Sequence, residues 1–163
     1  MLRDGVCTHH LLLGSLAFFA AMGALYPQGA GQLSATIGAV RGRAQYRPAG
    51  EAEWSTIVRE TLLRQDDTVR TGADTYLELE LGAARVAFLK PGVLRIKVFQ
   101  RTPTNLAIGL RVTDGRYRVT VDAAKTPYFV LETRDARVAT PGADFLLDAA
   151  DGKTSVHALA GLV

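Results

Sequence analysis

An all-β domain is what this sequence predicts, and three observations predict it. From Thr36 onward, apolar and polar residues alternate in short runs, the pattern of strands with one dry and one wet face. Gly, Pro or Asp separates one run from the next, and no long stretch of helical spacing intervenes. About a dozen such strands, roughly ten residues apart, imply a sandwich or a twisted solenoid-like arrangement. A chain of 163 residues can bury that core without disulfides or metals.

Before the strands, residues 1–31 have the layout of a secretory signal peptide: Arg3, an uncharged apolar run from Leu11 to Leu25, then small residues at Gly29-Ala30-Gly31. The run is shorter than the roughly 20 residues of a membrane span, so cleavage between Gln28 and Ala35 is expected. The second reading is an uncleaved anchor, because Asp4 cancels Arg3 and the run can be extended back to Val6. The expected location is periplasmic or secreted, with an inner-membrane anchor as the alternative. Cys7, His9 and His10 leave with the segment, and the mature chain then carries no thiol and a single histidine, His157. That argues against disulfides, cysteine nucleophiles, zinc sites and histidine triads.

The strands follow in order. In "VRGRAQYR", Val40, Gly42, Ala44 and Tyr46 share one face, and Arg41, Arg43, Gln45 and Arg47 the other. "EWSTIVRETLLRQ" could place Trp54, Ile57, Val58, Thr61 and Leu62 on one helical face, but it is short and β-branched, so it reads as strand or irregular. "TYLELEL" points Leu77, Leu79 and Leu81 inward, with Glu78 and Glu80 outward. "VLRIKVF" sets Leu94, Ile96 and Val98 against Arg95, Lys97 and Phe99. Further strands are expected at 107–112, 117–121, 128–133, 137–140, 144–148 and 154–159. Between strands, Asp114-Gly115 and Asp151-Gly152 are tight-turn signals, since both residue types tolerate positive φ.

Nineteen Lys and Arg against sixteen Asp and Glu leave a net charge of +3. The arginines fall at alternate positions and form no block, so no nucleic-acid partner is expected. Asp66-Asp67 diverge in an extended chain and read as a capped turn, not an acid pair. Glu78 and Glu80 share a face and are the pair a glycosidase would need, but on the wet side of an amphipathic strand. Asp144, Asp148 and Asp151 resemble a loose calcium loop without its central glycine. Ser155 and His157 lie two apart on a strand, with no acid positioned by the sequence. No catalytic, cofactor or metal residue is assigned.

At "DDTVRTGADTYLELEL" the chain resembles the FecR domain family, whose members carry Gly-Asp-x-(Ile/Val)-x-Thr-Gly ahead of an alternating strand; Asp67, Val69, Thr71 and Gly72 match. "LGAARVAFLKPGVLRIKV" and "LRVTDGRYRVTV" are similar to its next strand and turn units. "TRDARVATPGADFLLDAADGKTSVHALAGLV" resembles its closing block, with Gly142, Asp144 and Phe145 on Gly-Thr-Asp-Phe and Gly161 and Val163 on Gly-x-Val. The resemblance spans 35–163. Asp66 stands where the family has Gly, Ala143 where it has Thr, and Gly92 near a usual Ser; Asp tolerates a left-handed position.

The resemblance implies a non-enzymatic binding module without a cofactor, related to signalling and engaging an envelope protein. The family's name member is a membrane-spanning regulator. It receives a signal from an outer-membrane iron transporter and controls a sigma factor through a cytoplasmic N-terminal segment. About ten residues precede the apolar run here, so that output is not expected to carry over. A membrane is a partner only if the N-terminal segment is retained, and a carbohydrate or cell-wall binder is the remote alternative.

Overall fold

The computed structural model describes residues 33–101, 106–125 and 128–162; the stretch 1–31, expected to be a signal segment, and Val163 lie outside them. Among the described residues there are thirteen strands and no helix. One sheet has six strands, in the order β1 (Thr36–Arg41), β5 (Tyr76–Leu81), β6 (Ala84–Phe88), β9 (Gly115–Val121), β12 (Gly142–Ala150) and β13 (Lys153–Leu162). The other has seven, in the order β11 (Arg137–Thr140), β10 (Tyr128–Glu132), β8 (Leu106–Val112), β7 (Val93–Arg101), β4 (Thr68–Thr71), β2 (Ala44–Arg47) and β3 (Ser55–Thr56). All neighbours are antiparallel except β8 and β10. Leu77, Leu79 and Phe145 of the first sheet and Leu94, Ile96 and Ile108 of the second join one buried cluster. The arrangement is therefore a sandwich around a shared core.

The chain crosses between sheets repeatedly, and this corrects the reading of "VRGRAQYR" as one strand. Its inward side holds for Val40, Ala44 and Tyr46, which meet the core. But Gly42, at φ 84°, ends β1 in one sheet and sends β2 into the other. A side chain there would begin 2.8 Å from the carbonyl oxygen of Asp74, so both the dihedral and the space demand glycine.

The two Asp-Gly turns also part company. Asp151 and Gly152, at φ 53° and 70°, make the expected hairpin between β12 and β13. Asp114-Gly115 instead turns the corner from β8 to β9, between sheets. In "VLRIKVF" a bulge between Ile96 and Val98 shifts the register, so Phe99 faces the core and Val98 is only half-buried, the reverse of the alternation expected. "EWSTIVRETLLRQ" makes the two-residue β3 and is then irregular. Ile57 and Leu63 are buried from it while Val58 and Leu62 are exposed, and no helical face forms.

Candidate functional site

The residues of "DDTVRTG" are used by the backbone around them. Asp67 is buried, and its two carboxylate oxygens accept the amides of Ala49 at 2.9 Å and Arg64 at 2.8 Å. Asp66 takes the left-handed conformation at φ 70°, and its carboxylate meets Arg95 at 2.9 Å. Val69 is fully buried. Thr71 accepts the Gly92 amide on its hydroxyl at 3.1 Å, while its own amide donates to the Gly92 carbonyl at 3.1 Å. Gly72 donates to the Arg43 carbonyl at 3.0 Å.

These bonds belong to a seam that laces successive corners together. The Thr75 hydroxyl accepts the Arg43 amide at 3.0 Å, joining the corner after β4 to the corner after β1. Thr71 and Gly92 join the corner after β4 to the one after β6. Val93 donates to the Asp114 carbonyl at 3.2 Å, extending the seam to the corner after β8. The buried Tyr117 hydroxyl then donates toward the carbonyls of Asp114 and Val93, and burial pushes its ionisation well above the ordinary tyrosine range.

The closing block is divided between core and surface. Phe145 is fully buried, and Gly161, at φ 81°, passes 2.7 Å from the Gly142 carbonyl oxygen when measured from the place its side chain would begin. Asp144 lies on the outer face of β12, where Arg118 of β9 grips it at 2.7 and 3.1 Å. The hydrogen bond from Arg118 holds its carboxyl below the usual range. Asp148 is likewise taken by Arg116, at 2.7 Å through Nε. Asp144 and Asp148 stand four residues apart on one strand, about 13 Å, and Asp151 is in the hairpin beyond. The loose calcium loop is not formed, and among the described residues no three potential ligands converge.

Glu78 and Glu80 do come together. Their carboxylate oxygens lie 3.1 and 3.2 Å from where a side chain at Gly38 would begin, beside the bulge in β1. Each is already engaged, Glu78 by the Tyr76 hydroxyl at 2.9 Å and Glu80 by Thr36 at 3.5 Å. That bond to Glu78 raises the Tyr76 ionisation above its ordinary value. Ser155 and His157 share an exposed face of β13, but Asp148, across the ladder from Ser155, is the acid Arg116 holds.

The feature that sequence reading missed is on the outer face of the seven-stranded sheet. Cross-strand register sets Arg47 beside Thr68, Thr68 beside Arg95, Arg95 beside Arg111, Arg111 beside Glu132 and Glu132 beside Arg137. Arginines that alternate along separate strands thus form one row across six of them. Glu132 meets Arg111 at 3.1 Å and Arg137 at 4.0 Å. At one end, the guanidiniums of Arg70 and Arg47 lie 4.0 and 5.0 Å from the centre of the Trp54 ring. Gln45 fixes Arg70 through bonds of 2.8 and 3.1 Å. The signal was present as alternation, but only the strand order turns it into a row.

In comparisons with known proteins, no family model matches the chain, and no match was found among curated proteins or among solved structures.

Proposed function

We propose that the chain is a non-enzymatic binding module of the FecR-domain type, exported to the bacterial envelope, where it engages a protein partner in a signalling role. The observation that carries this reading is what Asp67 and Thr71 do. At the stretch where the resemblance is densest, every polar side chain with the motif's spacing holds a backbone amide, as a scaffold requires and as a catalytic acid pair does not. The acids elsewhere support it, because Asp144 and Asp148 are neutralised by arginines across the strand ladder.

Function then resides in surfaces, which in a sandwich are the outer sheet faces and the loops. N-terminal sequencing of the protein recovered from the envelope tests the export reading. A start between Gln28 and Ala35 is expected, and a start at Met1 would replace the exported module with an anchored sensor. Cross-linking in the same envelope tests the partner reading, which fails if the mature domain is recovered only as free monomer.

A further inference from the structure

We infer that the arginine row of the seven-stranded sheet is the docking surface for an extended acidic segment of a partner protein. This rests on the binding-module reading for the partner being a protein, and goes beyond it in naming the surface and its chemistry.

Charge asymmetry between the two outer faces is the first argument. On the six-stranded sheet the cations and carboxylates interleave, and Arg116 and Arg118 are each consumed by an aspartate. On the seven-stranded sheet five guanidiniums, Arg47, Arg70, Arg95, Arg111 and Arg137, are met among the described residues by the ion-paired carboxylates of Asp66 and Glu132. Arg95 and Arg111 moreover stand directly opposite each other, and like charges opposed across a ladder weaken a sheet. Their side chains remain 47% and 56% exposed, open to a further anion.

Geometry and residue type select the ligand. The row from Arg137 to Arg47 crosses five strand spacings, about 24 Å. An extended peptide covers that distance in about seven residues. Every cation in the row is arginine, whose planar fork matches carboxylates two bonds at a time. The acids already on the row, Asp66 and Glu132, show carboxylates seated on these guanidiniums at 2.9 and 3.1 Å. Two aromatic rings stand at the ends of the row: Trp54 already carries the Arg70 guanidinium, and the exposed Tyr128 accepts a bond from Arg137 on its hydroxyl at 3.1 Å, so the row between them, from Arg95 to Arg111, presents guanidiniums and not rings.

The test is titration of the protein with an oligoglutamate peptide of about ten residues, enough to overlap the row, at low and at physiological ionic strength. Saturable binding that weakens with salt is expected. The double variant Arg95→Gln/Arg111→Gln should weaken it at least about tenfold, while Arg85→Gln/Lys90→Gln, which removes the same charge elsewhere, should change it less than about twofold. Thermal midpoints are read on the same samples; if the first variant unfolds, Arg47→Gln/Arg137→Gln at the ends of the row takes its place. Equal weakening by both variants would reduce the effect to net charge and overturn the proposal. So would absence of binding, or tighter binding of phosphatidylglycerol vesicles, polygalacturonate or oligothymidylate than of the peptide. None of these failures touches the export reading, which N-terminal sequencing decides separately.

Discussion

The hydroxyl of Tyr117 lies 3.2 Å from the carbonyl oxygen of Val93, so a side chain of one sheet is bonded to the backbone of the other at the corner where both strands begin. The same hydroxyl donates to Asp114, three residues back along its own chain. Removing it in Tyr117→Phe leaves both carbonyls a partner, since Asp114 still accepts from Val93 and Val93 from Thr113. The expected loss is therefore only about 1 kcal/mol, read as a shift in denaturant midpoint. Gly92→Ala is a harsher change. Its new carbon would begin 2.3 Å from the Tyr117 hydroxyl and 2.5 Å from the Asp114 carbonyl oxygen. It should cost about 3 kcal/mol, the upper end for overpacking. In the Tyr117→Phe background the cost should shrink, because one of the two clashes is gone; strict additivity would argue against the contact.

A second prediction ranks the opening stretch. Asp67→Ala leaves the amides of Ala49 and Arg64 without their acceptor and should cost about 1 to 3 kcal/mol. Leu79→Ala, at the centre of the core, should cost about 2 to 5 kcal/mol. Glu78→Ala and Glu80→Ala should each stay within about 0.5 kcal/mol, as exposed hydrogen bonds at a sheet surface allow. Chemical denaturation of the four variants checks the order. A neutral Asp67→Ala would remove the structural role assigned to its carboxylate.

Much of this fold was legible because burial obeys period two. Leu77, Leu79 and Leu81 are fully buried, as their alternation with Glu78 and Glu80 required. What the alternation could not say is which sheet a strand joins. Gly42 breaks a run whose two halves both look like one strand, and the break lies in a dihedral and a close approach to Asp74, neither visible in an apolar pattern. The bulge at Ile96 escaped for the same reason: one extra residue reverses every later side chain, so Phe99 is inside. The turn role of Asp67 could be read locally because Arg64 is three residues away, whereas Ala49 is eighteen away and depends on tertiary structure. The arginine row is the extreme case, since it is made entirely of register between strands distant in sequence.

Asp66 offers a third test. It adopts φ 70°, a conformation that costs a residue with a side chain about 1 to 2 kcal/mol relative to glycine. Against that stands an exposed ion pair with Arg95, a contact of the kind that contributes about 0 to 1 kcal/mol. Asp66→Gly should therefore be neutral or stabilising by up to about 2 kcal/mol, and Asp66→Val clearly destabilising. Thermal midpoints at neutral pH decide it, and a large loss in Asp66→Gly would mean that the ion pair outweighs the dihedral.

The last prediction concerns acid. Among the described residues, two carboxyls titrate below their usual range in the folded chain. Asp144 does so chiefly because Arg118 donates a hydrogen bond to it, and Asp135 because the Thr154 hydroxyl does. A carboxyl whose folded pKa is depressed binds protons more readily when unfolded. Its contribution is therefore complete above the unfolded value, about 4 for aspartate, and is lost as pH falls through the lower folded value. The thermal midpoint should accordingly be flat from neutrality to about pH 5 and fall below about pH 4. Asp144→Asn should lower the midpoint at neutral pH and remove part of the acid slope, so that the two proteins converge at low pH. Arg118→Gln should do the same through the other partner. Asp135→Asn should take away a further part of the slope, because Thr154 also gives Asp135 its backbone amide, at 3.0 Å, where β13 begins. Parallel curves for wild type and Asp144→Asn down to the acid limit would show that the bond to Arg118 adds nothing to folding.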